Sequence, residues 1–167
     1  TILSNKGNVL SDQNKNGQAM TYCNKALEIN SNNYYAITCK GNILSSQGKY
    51  DEAITYFDKA IDVDPDKPNA YNSEGDAQYY KGEYDEAITY FDKAIDVDPK
   101  NIYALNSKGN ALGSEGKHSE AITYFEKSLG IDPNNIYALN HEGNSLANVG
   151  KYDEAVTHYD KVLTMDP

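Results

Sequence analysis

The sequence predicts an all-α protein built as an α-solenoid, a tandem array of antiparallel helix pairs. Three observations predict it. The string DEAITYFDKAIDVDP begins at Asp51 and recurs unchanged at Asp85, a step of 34 residues. Within each step, apolar residues form two separate runs at helical spacing. Glycine turns and Asp-Pro stops separate the runs. A fixed step of this length is the mark of stacked supersecondary units, and one helix pair needs its neighbours to complete a core.

Five units follow from the register, spanning 1–33, 34–67, 68–101, 102–135 and 136–167. Relatives of the founding string are SEAITYFEKSLGIDP from Ser119, DEAVTHYDKVLTMDP from Asp153 and the weaker GQAMTYCNKALEINS from Gly17. A second string precedes each copy, as in NSKGNALGSEGK at Asn106 and NHEGNSLANVGK at Asn140. In the first helix of a unit, Ala104, Leu105, Lys108, Gly109 and Leu112 fall on one face. In the second, Ala121, Ile122, Phe125 and Leu129 do the same. Glu115-Gly116-Lys117 is the type of turn between them. Acidic pairs such as Asp51-Glu52 and Asp85-Glu86 open the second helix, where the helix dipole favours negative charge. Asp-Pro at 64–65, 98–99, 132–133 and 166–167 closes it. Pro68 fits the first turn of the next helix, where a missing N–H costs nothing. The last helix is expected from Asp153 to Thr164.

Two columns stay small throughout: Gly7, Gly41, Gly75, Gly109 and Gly143, and Ala19, Ala53, Ala87, Ala121 and Ala155. Small residues let helix backbones approach closely. Phe57, Phe91, Phe125 and Tyr159, with Cys23 in the first unit, form an aromatic column that fills the space between helices. This spacing of Gly, Ala, aromatic and Pro in a 34-residue helix–turn–helix resembles the tetratricopeptide repeat, over essentially all 167 residues. Two departures stand out. The residue before each column glycine is charged rather than apolar: Lys6, Lys40, Glu74, Lys108 and Glu142. Their alternation suggests a ladder of pairs, Lys40–Glu74–Lys108–Glu142, between stacked helices. The first unit also has Asn14, Asn16 and Ser31 where the others have Gly, an aromatic or His, and Pro. A pentatricopeptide RNA reader needs a 35-residue step and a basic face, and neither is present.

The resemblance implies a right-handed superhelix whose first helices line a concave groove. Its columns are Asn8, Asn42, Asp76, Asn110 and Asn144, and one turn earlier Ser4, Thr38, Asn72, Asn106 and Asn140. Tyr35, Tyr103 and Tyr137 stand near the helix start, with Asn69 between them. One turn later come Ser11, Ser45, Tyr79, Gly113 and Ala147, flanked by Asp12, Ser46, Tyr80, Ser114 and Asn148. Asn offers a donor and an acceptor, the pair that holds an extended backbone, and Tyr supplies stiff area with a polar tip. The expected role is a protein-interaction scaffold that binds an uncharged, polar peptide or protein segment in this groove. A glycan would suit the same chemistry. The bland alternative is codon bias, since Asn, Lys and Tyr are abundant and Arg is absent. Chaperone-tail clamps of the family need cations where this chain has Ser4, Thr38, Asn72, Asn106 and Asn140, so a terminal carboxylate would meet no bidentate partner.

Net charge is −10, with Lys+Arg 15 against Asp+Glu 25. That argues against nucleic acid and against anionic membrane surfaces as partners. No stretch reaches the roughly 18–20 apolar residues of a membrane span. No phosphate-binding glycine loop is present. His118, His141 and His158 lie in different columns and make no zinc spacing. Asp62, Asp64 and Asp66 alternate like a calcium loop, but Lys67 and Ser73 stand where that loop needs Gly and Glu. No catalysis, metal or cofactor is expected. Cys23 and Cys39 are expected as reduced thiols near the core; a bridge between them is the alternative, without a spacing argument behind it.

At the array's ends, Leu3 and Leu10 open the chain without a polar cover. Ala155, Val156, Tyr159, Val162 and Leu163 close it at core spacing. Solenoids normally end in a polar cap. A longer parent array is one expectation. Another is head-to-tail stacking of copies into a helical fibre. A third is capping by a different protein.

Overall fold

A computed structural model describes residues 2–13 and 15–165. The Asn14 departure and the closing Asp166-Pro167 lie outside the described residues, as does the Asp12 side chain. Among the described residues there are ten α-helices and no strand: α1 Ile2–Asp12, α2 Asn16–Ile29, α3 Tyr34–Ser46, α4 Tyr50–Val63, α5 Pro68–Lys81, α6 Tyr84–Val97, α7 Ile102–Ser114, α8 His118–Ile131, α9 Ile136–Asn148 and α10 Tyr152–Met165. These are the helix pairs the periodicity predicts. The last helix runs one residue further at each end than expected, an ordinary margin for helix termini.

The chain divides into two compact units, Thr1–Gly82 and Glu83–Pro167. In the first, each of α1 to α5 packs on its neighbours in sequence, and α3 also touches α1 and α5. In the second, α6 to α10 follow the same rule, with α7 also touching α9.

Close approach explains the small columns. A Cβ built on Gly41 would fall 2.4 Å from the Phe57 ring, and one on Gly109 2.8 Å from Phe125. Gly143 holds Tyr159 in the same way, at 2.7 Å. The alanines Ala19, Ala53, Ala87, Ala121 and Ala155 are all buried. Between helices of a pair, Gly48, Gly82, Gly116 and Gly150 take φ between 74 and 87°. That left-handed backbone is costly for any residue with a Cβ.

Helix ends follow local chemistry. Asn33, Asn101 and Asn135 cap α3, α7 and α9, each side chain accepting the N–H of the third residue on. An Asn there satisfies one of the orphan donors of the first turn. Lys67 replaces it before α5, where Pro68 occupies the helix start as expected. After α6 and α8, the carboxylates of Asp98 and Asp132 accept from the N–H of Lys100 and Asn134. Asn30 does the same for Asn32 in the first repeat, where Ser31 replaces the proline.

Two expectations are corrected. Cys23 and Cys39 form a disulfide, with Cα atoms 6.3 Å apart, rather than two reduced thiols. Helix packing brings them together: Cys23 occupies the aromatic column of α2, Cys39 faces it from α3, and both are buried. The Cys23 sulfur lies 2.3 Å from where a Gly7 Cβ would be, filling the place an aromatic ring takes elsewhere. The charge ladder is the second correction. Lys108 pairs instead with Asp92 of α6 and lies over the Tyr124 ring of α8 at 4.3 Å. Glu142 pairs with His158 of α10 at 3.3 Å. Lys6 and Lys40 cover the rings of Tyr22 and Tyr56. Lys6, Lys40, Lys108 and Glu142 therefore contact second helices of the pairs.

Candidate functional site

The first helices α1, α3, α5, α7 and α9 carry the predicted binding columns. Tyr35, Tyr103 and Tyr137 stand exposed in the first turn of α3, α7 and α9, at 48, 53 and 44%. Two turns on, Asn42 and Asn144 are exposed, and Asn8, Asp76 and Asn110 are half-buried. Asn140 is exposed and Asn72 half-buried. Tyr80 is 66% exposed and Tyr79 half-buried, their rings meeting edge to face.

Three predicted residues, Ser4, Thr38 and Asn106, are buried in the fold instead. Thr38 is buried, and its hydroxyl donates to the carbonyls of Tyr34 and Tyr35 one turn back. Asn106 is buried, and its amide donates to the side chain of Asn135, the cap of α9. Such back-bonding and cap support are common uses of Thr and Asn in helices. Asn144 divides its duty, remaining exposed while accepting the Tyr159 hydroxyl at 2.8 Å.

The same kind of cleft occurs in each unit. In the first, α3, α4 and α5 enclose about 400 Å³ lined by Asn42, Ser45, Ser46, Tyr50, Phe57, Ser73, Asp76 and Tyr80. In the second, α7, α8 and α9 enclose about 190 Å³, and Asn110, Gly113, Ser114, His118, Phe125, His141, Asn144 and Asn148 stand at the matching positions 68 residues later. Sequence reading found most of the first-helix members of each cleft. It missed Tyr50 and His118, which belong to the opening turn of second helices. It also missed Ser73 and His141, one residue beyond the Asn72 and Asn140 column. The signal was there in the 34-residue register, since Tyr50, Tyr84, His118 and Tyr152 share one column.

Electrostatics differ between neighbouring groups. Burial pushes the His141 imidazole below its usual pKa. Its ring packs 4.1 Å from that of Tyr137. Burial raises the Glu142 carboxyl, against the opposing pull of His158. Burial also pulls on the Lys108 ammonium, but Asp92 and Tyr124 outweigh it and hold the pKa up. No group of three or more His, Cys, Asp or Glu able to hold a metal occurs among the described residues.

The predicted end residues divide as well. Leu10 packs against Ala19, Cys23, Cys39 and Ile43 while part of its surface stays open on α1. Tyr159 packs against Gly143. Leu3 and Val162 are half-buried, while Val156 and Leu163 are exposed at 55 and 61%. On α1 the exposed apolar side chains are Ile2 and Val9. One residue of helical phase separates Val9 from Leu10, about 100° around the axis.

Fold and surface together define a helical-repeat protein whose first helices, in each unit, expose polar and aromatic side chains. The chain belongs to the tetratricopeptide repeat family. One family profile matches residues 40–102 and 72–136, and others match 1–33, 22–55 and 136–167. No curated protein matches the chain significantly. Among solved structures, MamA is similar at 26% identity and a TM-score of 0.82, over 95% of this chain and 92% of that one. YrrB, described as a tetratricopeptide repeat protein with an unusual peptide-binding site, is similar at 25% identity and a TM-score of 0.76, over 99 and 85%. A Pseudomonas aeruginosa pilF structure has a TM-score of 0.90 at 22% identity, over 98% of this chain and 74% of that one, a likeness of fold.

Proposed function

We propose that the chain is a non-catalytic protein-interaction scaffold whose units each bind extended peptide on their first helices. The observation that carries this reading is the recurrence of exposed Tyr35, Tyr103 and Tyr137 at one register position, with accessible amides two turns on. Tyr35 and Tyr137 also touch Lys67 and His141, yet all three rings keep roughly half their surface in water at the same place in three repeats. Rings of this kind supply binding area at low entropic cost, and amides match a peptide backbone's donors and acceptors. The peptide-binding site named for YrrB supports the same reading. The test is capture of peptides from an immobilised random library. Asn110→Ala with Asn144→Ala should diminish capture while leaving helicity by circular dichroism intact. Undiminished capture would move the site off this face. A glycan would use the same chemistry, and soluble oligosaccharides competing in the same assay would reveal it.

A second reading, end-to-end assembly of copies, is favoured by the exposed apolar side chains Ile2 and Val9 on α1 and Val156 and Leu163 on α10. A shallow depression of about 410 Å³ on α1, lined by Ile2, Val9 and Leu10 among others, offers the receiving surface. Sedimentation over a concentration series checks it. Val156→Lys with Leu163→Asp should convert any assemblies to monomer, and assemblies that persist would reject this contact.

A further inference from the structure

The two matching clefts differ at a few positions, and those differences fall together. Asp76 is the one carboxylate in a column otherwise made of Asn8, Asn42, Asn110 and Asn144. Four residues on, Tyr80 stands where the second cleft has Asn148. Tyr50 stands where the second cleft has His118. All three line the first cleft. The Tyr50 and Tyr80 rings lie nearly parallel, 15° apart in plane, with centroids separated by 6.1 Å. An ion pair spans the same two helices. The Lys81 ammonium, beside Tyr80, meets the Asp51 carboxylate, beside Tyr50, at 2.7 Å.

A π face next to a carboxylate in a partly enclosed space is suited to a cation, because ring quadrupole and negative charge attract it together. The chain already uses this chemistry on itself. Its lysines cover Tyr22, Tyr34, Tyr35, Tyr56, Tyr90 and Tyr124 within 6 Å of the ring centroid. The net charge of −10 draws cationic segments toward the whole surface.

We propose that the cleft between α3, α4 and α5 takes the cationic side chain of a bound peptide, an arginine or lysine, against the Tyr50 and Tyr80 rings and beside Asp76. This inference rests on the peptide-binding reading and refines it. The bound segment is not uniformly uncharged, as the Asn and Ser columns alone suggested, but carries a basic residue at one fixed place. The matching cleft, with Asn144 and Asn148 in place of Asp76 and Tyr80, takes a neutral side chain.

The test is an NMR titration of the ¹⁵N-labelled chain with acetyl-Gly-Arg-Gly-amide, and with the same peptide carrying neutral citrulline in place of arginine. The expected result is saturable shifts at the amides of Asn42, Ser73, Asp76 and Tyr80, and none at Asn110, His141 or Asn144. The citrulline peptide should bind at least about fivefold more weakly, and Asp76→Asn should erase that difference. Tyr80→Ala, at an exposed position that leaves the core untouched, should weaken the arginine peptide by a similar factor. Equal binding of both peptides, no effect of Asp76→Asn, or equal shifts in the second cleft would overturn the proposal. If library peptides are still captured through Asn110 and Asn144 in that case, only the cation pocket fails. Loss of both results would overturn the peptide reading itself.

Discussion

Gly109 and Gly130 are both helical glycines, and opposite physics governs them. A Cβ on Gly109 would enter the Phe125 ring, whereas one on Gly130 would meet nothing within 4 Å. Gly109→Ala is therefore expected to destabilise the chain by about 1–3 kcal/mol, the usual cost of overpacking. Gly130→Ala should stabilise it by a few tenths to about 1 kcal/mol, by restricting the unfolded backbone. Urea denaturation of both variants checks this. A loss of stability in both would mean that Gly130 has a packing role the geometry lacks. Single residues also explain the charged column. Lys6 covers Tyr22, Lys40 covers Tyr56 and Lys108 covers Tyr124, each sixteen positions on. In the last repeat both members change together, to Glu142 and His158, and a contact between them survives.

At the scale of elements, the helix pairs were legible because repetition multiplies a weak periodic signal fivefold. Turns were legible for the same reason, since Gly48, Gly82, Gly116 and Gly150 recur wherever the backbone must be left-handed. The caps Asn33, Asn101 and Asn135 were open to the same reading but lay hidden in an Asn-rich composition, where a capping Asn looks like any other. Phase was less legible than existence. Leu10 and Val9 are adjacent apolar residues on a short helix with polar neighbours, and only packing against Cys23 and Ile43 shows which one faces inward. The binding face was half legible. The columns named its first-helix residues, but Thr38 and Asn106 are claimed by the backbone and by a cap, which depends on partners 29 or more residues away or on local rotamer choice. The disulfide was not legible, because sixteen residues of separation carry no geometry until two helices are packed.

For the whole molecule, repeat arrays are held by nearest-neighbour contacts, so stability is distributed unevenly along the chain. The Cys23–Cys39 bridge joins α2 to α3 and lies buried in the first unit. Closing a loop of this size stabilises a fold by about 3 kcal/mol in the chain-entropy account. Reduction without denaturant is therefore expected to raise amide hydrogen exchange in α1 to α3 and to leave α7 to α9 unchanged. Exchange that rises equally in both units, or nowhere, would show that the bridge does not set the stability of its own end. The bridge also gives the array a mechanical polarity. Pulled by its two termini, the oxidised chain cannot pay out the loop closed by a sequence separation of 16, a shortfall of about 50 Å in full extension. Under load the molecule has one end that can be stretched only so far, and another that can be drawn out to its full contour.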